Sequence, residues 1–77
     1  MEELINQLTA HYRSVIQNIT IAGKAELNIT LNSGADAVDF SQNLQDHLVE
    51  ILDELTIVKI NILAVDGKVV DSFSSNQ

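Results

Sequence analysis

Cysteine is absent, and with it go disulfides, thiol nucleophiles and thiolate-bound metals. Basic residues are scarce: Arg13, Lys24, Lys59 and Lys68 stand against eleven Asp and Glu, for a formal charge of -7. That balance repels a phosphate backbone and argues against direct binding of DNA or RNA. Long hydrophobic runs are missing too. The longest, Ile60 to Val65, is interrupted by Asn61 and falls far short of the roughly 20 residues a membrane span requires. The opening MEELINQL is acidic where a secretory leader is basic, and no apolar core or small-residue cleavage site follows it. The expected compartment is therefore the cytoplasm, that of the host if a phage encodes the chain. Asn18-Ile-Thr20 and Asn28-Ile-Thr30 match the glycosylation acceptor pattern, which has no meaning without export.

What the chain does have is periodic hydrophobicity. Hydrophobic residues make up 45% of its 77 residues against 19% charged, so it folds, and its length permits one core. A single domain over residues 1–73 is expected, with a free tail at 74–77. A domain of this size with no disulfide sits near the limit at which one core suffices, a limit that partners or oligomers commonly relieve.

Leu4, Ile5, Leu8, Tyr12, Val15, Ile16 and Ile19 recur three or four apart, which predicts a helix over about residues 2 to 19. Thr20 to Lys24 reads as a turn. Ala25, Leu27, Ile29 and Leu31 alternate with polar residues as a strand does. Ser33, three residues before Asp36, fits a loose capping box, and a second helix follows over about 35 to 55. The β-branched stretch Thr56 to Val65 reads as a central strand. Asp66-Gly67 predicts a two-residue hairpin turn, with a return strand from Lys68 to Phe73.

The expected fold is an α/β two-layer sandwich of the α+β kind, in the order α-β-α-β-β. Its small three-stranded mixed sheet carries both helices on one face, and the second helix crosses between two parallel strands. In that hairpin Ala64 pairs with Val69, Ile62 with Asp71 and Ile60 with Phe73. Val58, Ile60, Ile62, Ala64, Val69 and Phe73 then face the helices, and Asp71 is the one misfit among them. Over residues 1 to 62 this order of elements resembles the first half of a thioredoxin-like fold. Where a redox member carries its cysteine pair, this chain has Ser33-Gly34-Ala35-Asp36, so redox activity would not accompany the resemblance.

Chemistry-bearing constellations are sparse. His47 and Glu50 could share a helical face, but two ligands do not make a metal site. The acids follow a helix and not the alternate positions of a calcium loop. Ser33, Ser41 and Ser72 lack a nucleophile signature. Ser33-Gly34 alone is too little for a phosphate-binding turn. No catalytic residue, cofactor or metal is therefore expected.

The strongest signal is one-sided charge. Around the second helix Ala37, Phe40, Leu44, Leu48, Ile51 and Leu55 form the apolar stripe, and Asp36, Asp39, Asp46, Glu50, Asp53 and Glu54 gather opposite it within about 100°. Asp46 and Glu50 are like charges four apart, costing a few tenths of a kcal/mol that a lysine would turn into a gain. Solubility alone accounts for such a face. The functional expectation is a non-enzymatic acidic binding protein whose carboxylates dock on a basic protein surface. A nucleic-acid-handling protein carries such a surface, and the carboxylates would stand in for its phosphates. Inhibitors, antitoxins, immunity proteins and phage anti-defence proteins work in this general way. The alternative expectation is a self-assembling module, a homodimer or larger, joined through a sheet edge or through the apolar residues Ile57, Leu63, Val65 and Val70.

Overall fold

The computed structural model describes residues 2–52 and 56–75. In it the first helix, α1 (Glu2–His11), ends well before residue 19. Tyr12 N donates to Leu8 O at 2.9 Å, and the amides of Val15 and Ile16 both donate to Tyr12 O at 2.9 Å, which turns the chain out of the helix. The stretch expected to continue α1, with the turn expected after it, is instead a strand, β1 (Ile16–Gly23).

A β-bulge explains the difference. Ile16 pairs with Leu31 of β2 (Glu26–Leu31) and Asn18 with Thr30, so Gln17 is an extra residue on β1 with no partner of its own. The bulge puts Ile16 and Ile19, three apart, on the core side of the sheet. Ile19 lies opposite Ile29 and Ile21 opposite Leu27. A bulged strand thus reproduces the spacing of a helical face.

The second helix, α2 (Ala37–Ile51), leads to β3 (Lys59–Leu63). This strand runs parallel to β2, with Leu27 beside Ile60 and Ile29 beside Ile62, as expected of a crossover connection. The last strand, β4 (Val69–Ser74), returns antiparallel to β3. Sheet order is β1-β2-β3-β4. Among the described residues the element order is therefore α-β-β-α-β-β with four strands, not α-β-α-β-β with three. The added strand also departs from the thioredoxin-like order.

The β3–β4 hairpin differs in its turn. Gly67 N donates to Ala64 O and Ala64 N to Lys68 O, both at 2.8 Å, which encloses a loop over residues 65–67. Gly67 alone supplies the positive φ, at 90°, as in a three-residue loop with a glycine bulge; a two-residue turn would need Asp66 there as well. A second irregularity follows at once, because Leu63 pairs with Val69 while Ile62 pairs with Asp71. Val70 is the bulged residue. The two deviations cancel further along, so Ile62–Asp71 and Ile60–Phe73 pair as the sequence predicts. They also exchange two valines: Val69 joins Leu63 on the reverse face, and Val70 lies beside Ala37 and Ala64 on the helical side.

Both helices cover the same sheet face. Leu4 and Leu8 of α1, Leu27, Ile29 and Leu31 of β2, Phe40, Leu44 and Leu48 of α2, Ile60 and Ile62 of β3, and Phe73 of β4 form one buried cluster. Each such side chain contributes about 1.5 to 3 kcal/mol by leaving water. The helices lie antiparallel: Glu3, Leu4 and Gln7 border a depression with Ile51 and Leu52, and Tyr12 packs on Phe40. At the other end of the chain, Ser75 N donates to Val58 O and Val58 N to Ser75 Oγ, each at 2.9 Å.

The reverse sheet face is polar. Asn61 Nδ2 donates to Glu26 Oε2 at 2.7 Å and to Asn28 Oδ1 at 2.9 Å, while Ser72 Oγ donates to Asn61 Oδ1 at 2.8 Å. This network ties β2, β3 and β4 together on the side away from the helices.

Candidate functional site: the outward face of the helical layer

The helix expected over residues 35 to 55 begins at Ala37 and ends at Ile51, with Leu52 N donating to Leu48 O at 2.9 Å. Asp36, not Ser33, is the N-cap. Its Oδ1 accepts from the amides of Val38 and Asp39, both at 3.1 Å, which satisfies donors that the first turn leaves open. Ser33 lies in the preceding turn, where Gly34 takes a φ of 87° and Ala35 N donates to Asn32 O at 3.1 Å. Asp36 is thus bound to its own helix. Asp53 and Glu54 lie outside the described residues.

Asp39, Asp46 and Glu50 remain, all exposed. At 100° per residue they fall within about 40° of one another, opposite the stripe of Phe40, Leu44 and Leu48. Val38 and Val49 flank them, 69% and 67% exposed. Neither α1 nor α2 contains a lysine or arginine, and Glu2 and Glu3 of α1 are exposed as well. Arg13, Lys24, Lys59 and Lys68 all sit on the sheet or in the turns. Both helices therefore carry acids unopposed by lysine or arginine, whereas the sheet and its turns carry both signs, with Glu26, Asp66 and Asp71 among the bases.

The seam between the helices holds an aromatic group. His11, the last residue of α1, is exposed but stacks on half-buried His47 of α2, with centroids 4.3 Å apart and planes at 15°. Tyr12 meets His11 edge-on at 4.7 Å, Phe40 at 5.0 Å and His47 at 6.0 Å. Burial, and secondarily the Asp46 carboxylate, hold the Tyr12 phenol above its ordinary range. Among the described residues no group of three histidine or acidic side chains could hold a metal ion, and no helix is long and apolar enough to cross a membrane.

The four residues considered for self-association are dispersed. Ile57 precedes β3 and Val65 follows it, so they lie at opposite ends of that strand, exposed. Leu63 is half-buried on the reverse face. Val65 and Val70 border a depression of about 210 Å³ with Ser33, Gly34, Ala35 and Ala37, at the end of the sheet where α2 begins.

A contact missed from sequence joins α2 to the sheet. Ser41 Oγ, buried under α2, donates to Asp71 Oδ2 on β4. The signal was present: Ser41 falls in the apolar sector of its helix and Asp71 on the apolar side of its strand, so each misfit answers the other. Comparison with protein-family models, curated proteins and solved structures finds no match.

Proposed function

We propose that this chain is an acidic binding protein without catalytic chemistry of its own, and that it docks the outward face of its helical layer on a basic surface of a partner protein. The observation that supports this is the absence of any lysine or arginine from the two helices. Asp39, Asp46, Glu50, Glu2 and Glu3 lie exposed on them. A field of one sign on one side speeds encounter with the opposite sign and fixes orientation. Val38 and Val49, exposed beside the carboxylates, supply the apolar contact that holds a complex once charge has steered it. The partner surface in this reading is one built for phosphates, as on a nucleic-acid-handling protein.

Affinity capture from a native lysate, with salt elution, tests the reading against a variant carrying Asp39→Asn, Asp46→Asn and Glu50→Gln. Proteins retained by the parent chain and released by salt should be lost from the variant. Equal retention by both chains overturns it.

A further inference from the structure

We propose that the outer edge of β1 is a self-association surface, pairing antiparallel with β1 of a second copy about a two-fold axis through Thr20. The sheet ends at β1 on one side and β4 on the other. An open edge presents a row of backbone donors and acceptors, and proteins commonly blunt it with charge, proline, bulges or inward-pointing ionised groups. β4 is guarded in that way: Lys68 precedes it, Val70 bulges within it, and Asp71 points inward to Ser41. β1 is guarded only at its ends, by Lys24 beyond its last residue and by bulges near each terminus. From Ile16 to Gly23 it contains neither a charged residue nor a proline. Its bulges fall at Gln17 and Ala22, which leaves a regular ladder from Asn18 to Ile21 between them.

The register follows from that window. Antiparallel partners share a sheet face, so a two-fold pairing must set core-side residues opposite core-side residues. Ile19-Thr20-Ile21 reads the same in both directions. An axis through Thr20 therefore brings Ile19 against Ile21 of the second copy, and Thr20 against its own equivalent. Ile21 is 61% exposed on the helical side of the sheet, and this pairing covers it. An axis through Ile21 brings the bulge position Ala22 directly opposite Thr20, and one through Ile19 sets exposed Ile21 against the bulge position Gln17 instead of against Ile19. A contact of this kind is isologous and closes at two copies. It makes a continuous sheet with both helical layers on one side. The inference is independent of the acidic-face reading, since none of its residues belongs to that face.

Sedimentation equilibrium over a concentration series, together with disulfide trapping in a chain that has no native cysteine, tests the proposal. The parent chain should approach twice its 8.5 kDa mass as concentration rises. Ile21→Lys, at an exposed site, should weaken association at least tenfold while leaving the circular dichroism spectrum unchanged. Thr20→Cys should form a covalent dimer under mild oxidation, because directly opposed Cα atoms about 4.5 to 5.5 Å apart suit a disulfide. Val69→Cys, exposed on β4, should not. A parent chain that stays at monomer mass, or Val69→Cys cross-linking as readily as Thr20→Cys, overturns the proposal. So does undiminished association of a folded Ile21→Lys chain.

Discussion

Ser41 and Asp71, thirty positions apart in the chain, share a hydrogen bond that fastens α2 to the outermost strand. The hydroxyl donates to one carboxylate oxygen, and the other accepts from Ser72 N at 2.9 Å. The charge of a half-buried edge residue is thus met from both sides. Ser41→Ala removes one donor and leaves that oxygen facing a buried methyl group. The expected loss is about 1.5 to 3 kcal/mol, the range for bonds to charged groups, read as a lower urea midpoint. Added to Asp71→Asn in a double-mutant cycle, the two changes should cost less than their sum.

Asp36 is a cap before it is a charge, and the two roles separate by substitution. Asn caps a helix as well as Asp does, so Asp36→Asn should leave thermal stability nearly unchanged. Asp36→Ala should cost about 0.5 to 2 kcal/mol. Equal losses in the two variants would mean that the carboxylate acts through its charge on the helix terminus and not through the bonds to Val38 and Asp39.

Asn61 holds the reverse sheet face together through Glu26, Asn28 and Ser72. Asn61→Ala should destabilise by about 1 to 3 kcal/mol, because three groups lose one partner each and the half-buried face admits water only in part. Chemical denaturation with an unchanged m-value would confirm that the loss is in stability and not in denatured-state compactness.

Tyr12 gives the fold a decline in alkali. Its phenol is held above the ordinary value of 10.0 by burial first and by Asp46 second. The folded state therefore keeps its proton where the unfolded chain has released it. Stability from this source is complete below the unfolded value and is lost as pH rises from there through the folded one. Denaturation midpoints should fall above about pH 10, and Tyr12→Phe should flatten that part of the profile. Tyr12 is the only tyrosine and there is no tryptophan, so ultraviolet titration of the phenolate reports this one group directly.

Much of the architecture was legible because its signals were redundant. In α2, Phe40, Leu44 and Leu48 mark one stripe, and the exposed Asp39, Asp46 and Glu50 mark the opposite side. The parallel pairing of β2 with β3 followed from a helix lying between two strands. Local irregularity hid the rest. The Gln17 bulge gave Ile16 and Ile19 a helical interval, which concealed β1 and its edge. The Val70 bulge exchanged two neighbours of similar chemistry, Val69 and Val70, which no periodicity could distinguish. Of the candidate site, Asp39, Asp46 and Glu50 were readable from the helical wheel. The capping role of Asp36 was obscured because Ser33 is also a good cap, and only the backbone turn at Gly34 decides between them.

The parallel seam between β2 and β3 governs how the chain can fold. On either side of it the strand pairings are hairpins, β1 with β2 and β3 with β4, whose partners are close in sequence. The seam alone joins strands separated by all of α2, and so carries the largest loop-closure entropy of any strand pair. The kinetic barrier should lie at the meeting of two half-formed units. Truncating Ile29 or Ile62 at the seam should then slow refolding, whereas loosening either hairpin should chiefly hasten unfolding.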